Sequence, residues 1–173
     1  MLGKIRLCFT VIVLATTLSA ADNILIVGST GLGVQPATGW TRQEGGTFLL
    51  RGPGKDGALA PRFTVTVVSG TIADMTTAFR KRFSRVAAGS EILNEDDVPL
   101  GGRTWHRLRT HLAIGPIVLG QSIWIGSING HTIVAVLSTG DDFIQANVSI
   151  GADMVSSLRE VIQSVPQILT PAH

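Results

Sequence analysis

The chain has 173 residues, with 14 basic and 12 acidic side chains and a single cysteine, which excludes a disulfide-built scaffold. Lys4 and Arg6 fall in the first six residues with no acid beside them, and taking these two from the total leaves 12 bases against the same 12 acids. A neutral remainder offers no footprint for nucleic acid, and about 150 residues is enough chain for one domain with a real core.

Residues 1–21 have the three parts of a secretory leader in order. Lys4 and Arg6 form a short positive start, Leu7 to Leu18 an apolar run, and Ser19-Ala20-Ala21 the small-residue exit that signal peptidase needs. The run is shorter than the ~20 apolar residues of a spanning helix, so the leader is read as cleaved and the product as lacking a stable membrane anchor. Cys8 sits at the head of the apolar run, not just after it, and so is not a lipid-attachment cysteine. The expected product is exported, and periplasmic in a Gram-negative cell.

Residues 22–38 read as a linker or edge strand: Asn23 to Val27 is apolar, and a glycine-rich stretch follows. Val27-Gly28-Ser29-Thr30-Gly31-Leu32-Gly33 mimics a dinucleotide loop. The Val34 to Gly39 segment cannot open the helix whose N-terminus would hold a pyrophosphate, and the acid such a fold places about twenty residues on is missing. Thr47 to Arg51 is a short strand, Gly52 to Gly57 a turn, and Arg62 to Val68 a strand with Phe63, Val65 and Val67 on one side. The spacing of Ile72, Met75, Phe79, Phe83 and Val86 predicts a helix over 71–87, with Arg80, Lys81, Arg82 and Arg85 in its last turns. Glu95-Asp96-Asp97 reads as a solvated loop, and His106 and His111, five apart, fall on opposite faces of any strand.

Asn129-Gly130 between two β-rich runs is the strongest hairpin signal in the chain. A two-residue turn pairs Ile128 with His131, Ile125 with Val134, Trp124 with Ala135 and Ile123 with Val136. Ile123, Ile125, Val134 and Val136 then share one face, and Trp124, Ile133, Ala135 and Leu137 the other. Both faces are apolar, so these strands should lie mid-sheet with cover on each side. Asp141-Asp142 should cap a turn before Phe143, and Met154, Leu158, Val161 and Val165 predict a closing helix over 151–165 stopped by Pro166. The implied fold is α/β of the α+β type: a mostly antiparallel sheet with helices packed on both faces. One domain spans 39–165, and 166–173 is a tail.

Gly39-Trp40, the Phe63 strand followed by a helix, Gly101-Gly102-Arg103-Thr104-Trp105, the hairpin from Gln121 to Val134, and Phe143 before a closing helix with Ser156-Ser157-Leu158 follow one another in this chain. That order resembles the PsbP/DcrB-like superfamily, which shares its α/β/α sandwich with a yeast Ran-binding nuclear import factor. The resemblance covers roughly residues 38–165. It implies a largely non-catalytic protein of the kind found as extrinsic photosystem subunits, periplasmic proteins and lipoproteins, and secretion-linked chaperones. It brings no catalytic residues or cofactor. The missing lipoprotein cysteine implies a soluble member.

One polar feature stands out from the residues themselves. Alternation places Arg103, Trp105, Arg107 and Arg109 on one face of a strand, where arginines flanking an indole could stack on and ion-pair with an acidic protein partner. The leading expectation is therefore an exported, non-enzymatic protein-binding module: accessory, chaperone-like or inhibitory. A small-ligand or cation binder would instead show a closed pocket, or the acids at 95–97 converging with Asp141 or Asp142. A hydrolase would show a serine or an acid beside His106 or His131 in a cleft.

Overall fold

The computed structural model describes residues 23–45, 47–54, 57–85 and 89–161. The expected leader and the tail from 166 onward lie outside them. Seven strands form one antiparallel sheet: β3 (Thr41–Gln43), β4 (Leu49–Arg51), β5 (Arg62–Val68), β6 (Glu91–Leu100), β7 (Arg103–Ile114), β8 (Ile117–Ile128) and β9 (His131–Gly140). Their order across the sheet is β3-β4-β5-β9-β8-β7-β6. Helix α1 (Ile72–Phe83) covers one face and α2 (Ile144–Ser156) the other. The glycine-rich segment that mimics a dinucleotide loop is the turn between β1 (Leu25–Ile26) and β2 (Leu32–Val34). With β10 (Arg159–Glu160) these make a separate three-stranded sheet.

The Asn129-Gly130 turn sets the central register as the sequence predicts. Both residues take positive φ, 49° and 80°, the pair of values that lets a two-residue turn follow the strand twist. Ile128 faces His131, Ile125 faces Val134, Trp124 faces Ala135 and Ile123 faces Val136. Ile123, Ile125 and Val134 therefore join Leu108 and Phe83 in the core under α1. Trp124, Ile133, Ala135 and Leu137 join Phe63, Trp105, Met154 and Leu158 in the core under α2.

Packing on the α2 face is close. A Cβ on Gly126 would stand 2.5 Å from the Trp105 ring, so the absence of a side chain there lets the indole lie flat on β8. Trp105 Nε1–H donates to the Leu100 carbonyl at 3.3 Å across the β6–β7 turn.

Helix α1 starts as its sequence suggests. Thr71 accepts from the Asp74 amide at 3.1 Å while the Asp74 carboxylate accepts from the Thr71 amide at 2.9 Å, a reciprocal cap. The helix ends at Phe83 rather than 87, and Val86 lies outside the described residues. The closing helix departs further from expectation, running over 144–156 instead of 151–165. Met154 and Leu158 are buried as expected, but Leu158 lies beyond the helix. The stop is tertiary: Ser157 Oγ donates to the Met154 carbonyl at 2.7 Å and accepts from the Gln35 amide at 2.9 Å, turning the chain into β10. Asp141 and Asp142 form a 3-10 turn with Phe143, and neither side chain caps it.

Glu95-Asp96-Asp97 is not a loop. It lies in the middle of β6, the outermost strand, which has a bulge between Ile92 and Asn94 and carries Pro99 near its end.

Candidate functional site

Along β6 and β7 register puts acids on one strand opposite bases on the other. Glu91 faces His111, Asp96 faces Arg107 and Asp97 faces His106. On the α2 side, Arg107 holds Asp96 in a two-pronged pair, Nε to Oδ1 at 2.9 Å and the terminal nitrogen to Oδ2 at 2.5 Å. That hydrogen bonding from Arg107, aided by its charge, keeps the Asp96 carboxyl below its usual range despite partial burial.

On the α1 side the ring of His106 sits between two carboxylates. Nδ1 is 2.8 Å from Asp97 and Nε2 is 2.9 Å from Glu95. Glu95 also takes both a 3.1 Å bond from Arg80 Nε and a second from that guanidinium's terminal nitrogen, tying α1 to the sheet. The Arg80 hydrogen bond, and after it the contact with His106, holds the Glu95 carboxyl below its usual range while burial opposes the shift. Together with Ile72, Thr76 and Thr104 these groups line an open cleft of about 540 Å³.

The acid beside His106 in a cleft that a hydrolase would require is thus present twice over. Each ring nitrogen already faces a carboxylate, so no free lone pair points into the cleft to take a proton or hold a metal. Thr76 directs its hydroxyl to the Ile72 carbonyl at 2.9 Å, within its own helix. The acids at 95–97 do not converge with Asp141 or Asp142. Asp141 lies 2.7 Å from His111 Nε2 on the α2 side, whereas Glu95 and Asp97 face α1. Among the described residues, no group of three or more His, Cys, Asp or Glu could hold a metal ion.

Arg103, Trp105, Arg107 and Arg109 do share one face of β7, but that face looks toward α2. Trp105 is core, 1 % exposed, and so offers no indole for stacking. Arg107 is occupied by Asp96, and Arg103 points back to the Leu158 and Gly101 carbonyls at 3.5 and 3.3 Å. Arg109 is half-buried beside His111 and Asp142. The acid that the basic strip was expected to seek in a partner is, for its central arginine, supplied by this chain. The Arg80–Glu95–His106–Asp97 cluster was missed in the sequence because its members come from three elements. Its one local signal is a pair of acids two apart opposite a strand histidine.

No protein-family model and no curated protein matches the chain. Solved structures do. A protein from Bacteroides thetaiotaomicron superposes with a TM-score of 0.57 at 11% identity, over 83% of this chain and 50% of its own, so the present chain spans half of that relative's length. LpqN of Mycobacterium tuberculosis, described as involved in cell envelope biogenesis, gives 0.54 at 11% identity over 73% of this chain and 81% of its own. The cyanobacterial PsbP of Synechocystis gives 0.52 at 17% identity, over 80% of this chain and 92% of its own. The fold is PsbP/DcrB-like. At such identities the likeness is one of architecture, and the PsbP-like sandwich here carries its own set of side chains on β6 and β7.

Proposed function

We propose that the chain is an exported, non-enzymatic accessory protein of the cell envelope that works by binding a protein partner. The observation that carries this reading is the state of its reactive side chains. The two histidines of β7 are engaged by carboxylates, and both faces of the central sheet carry a helix, so the surface is what this reading leaves for a partner. The leader pattern in residues 1–21 supports export, and no described helix is long and apolar enough to cross a membrane. The envelope role stated for LpqN accords with it.

The docking surface of this reading is the β7 strip as the fold reshapes it. Arg103 and Arg109, both half-buried, are its two ends, with Trp105 in the core and Arg107 held by Asp96 between them. The test is capture from envelope extract by the wild-type protein and by an Arg103→Glu/Arg109→Glu variant of equal thermal stability. Loss of specific partners from the variant supports the strip. Identical partners in equal amounts would remove it.

A further inference from the structure

The α1 face of the sheet is less tightly closed than the α2 face. Helix α1 lies over β8, and on its β9–β5 side the half-buried Met75 and Phe79 wall a cavity of about 280 Å³ with Val68, Ile123, Val134 and Val136. Polar groups reach it at three points. Gln121 reaches Ser138 Oγ at 3.3 Å and Thr110 Oγ1 at 3.5 Å, both long bonds, and Thr66 lies at the surface. The third is the exposed guanidinium of Arg82. Its neighbour Arg80 is taken by Glu95, but Arg82 has no hydrogen-bonding or ionic partner among the described residues.

An apolar recess with an unpaired cation at its rim is complementary to a molecule with an oily tail and an anionic head. We propose that this cavity binds a medium-chain aliphatic carboxylate, the tail lying against Met75, Phe79 and Val136 and the carboxylate meeting Arg82. The space admits an alkyl tail well beyond the size of a single water, and decanoate is the probe chosen for it. Water in a recess with so few partners is weakly held, and replacing it with methylenes is favourable. The site goes beyond partner docking and lies on the opposite face of the sheet from the β7 strip.

The experiment is calorimetric titration of the purified protein with decanoate, decanol and butyrate. Decanoate is expected to bind saturably, one to one, with a negative heat-capacity change. Decanol should bind at least tenfold more weakly and butyrate not at all. Arg82→Gln, at an exposed side chain, should bring decanoate down to the level of decanol and leave decanol unchanged. Val136→Phe should fill the cavity and abolish both. Should that variant fail to fold, the Arg82→Gln result decides. Absence of saturable decanoate binding overturns the proposal, as does binding that Arg82→Gln leaves untouched. Arg109→Glu should not alter decanoate binding, so failure of the docking strip and failure of this cavity are read separately.

Discussion

The two faces of the central sheet differ in how they are closed. Under α2, Trp105 and Trp124 are flat, fully buried and pressed on the backbone, and the small residue opposite each contact is what allows it. Under α1, the cover is made by Met75 and Phe79, unbranched or freely rotating side chains that stay half-exposed above a cavity. Rigid aromatics fitted to shape specify one structure, whereas loosely packed side chains can readjust. One side of the molecule fixes the fold. The other is left able to accommodate something.

The largest expected effect tests that contrast directly. Trp124→Ala should cost about 3–5 kcal/mol in denaturant unfolding, as for a large aromatic removed from a core with no room to collapse. Phe79→Ala, beside the existing cavity, should cost less than half as much. Equal losses would break the comparison. Next, Gly126→Ala places a methyl against the Trp105 ring and should cost about 1–3 kcal/mol, with no loss of compactness visible in the m-value.

A smaller change of opposite sign is expected at Ser122. Among the described residues its Oγ and the Nε1 of Trp124 are buried with no hydrogen-bond partner, and both belong to the α2 face. Ser122→Ala removes one unsatisfied hydroxyl and should raise stability by about 1 kcal/mol. A decrease would mean that the hydroxyl has a partner after all.

The smallest effect is the acid limb. Glu95 and Asp96 both have carboxyls held below their ordinary values of 4.5 and 3.8, first by Arg80 and by Arg107 respectively. Their contribution is full above those unfolded values and is lost as the pH falls through the lower folded ones. Unfolding titrations should therefore show stability dropping below about pH 4, and Glu95→Gln should flatten part of that slope. An unchanged slope would place the dependence elsewhere.

How far the sequence reaches depends on what closes each element. The β8–β9 hairpin could be read to the residue because its turn, its alternation and its two apolar faces all lie within twenty positions. The β5 strand was equally legible from its alternation, and the apolar spacing from Ile72 onward placed α1. The end of α2 was not legible. Apolar residues keep helical spacing past Leu158, and only the bond from the distant Gln35 amide to Ser157 shows that the chain turns there. β6 was hidden for the opposite reason. Three consecutive acids show no alternation, and the partners that hold them in a strand, Arg80, His106 and Arg107, come from other elements. The strip on β7 was placed on one face correctly, but which face was buried depended on α2, whose position the sequence had shifted.

The outermost long strand has a further consequence for how copies of this protein behave together. The outward-facing backbone groups of a ten-residue edge strand would ordinarily recruit a second copy and grow into a filament. Here the bulge after Ile92 breaks the straight run and Pro99 withholds a donor, so the edge is a poor template for a second copy. A concentrated stock should therefore remain monodisperse on that side of the sheet.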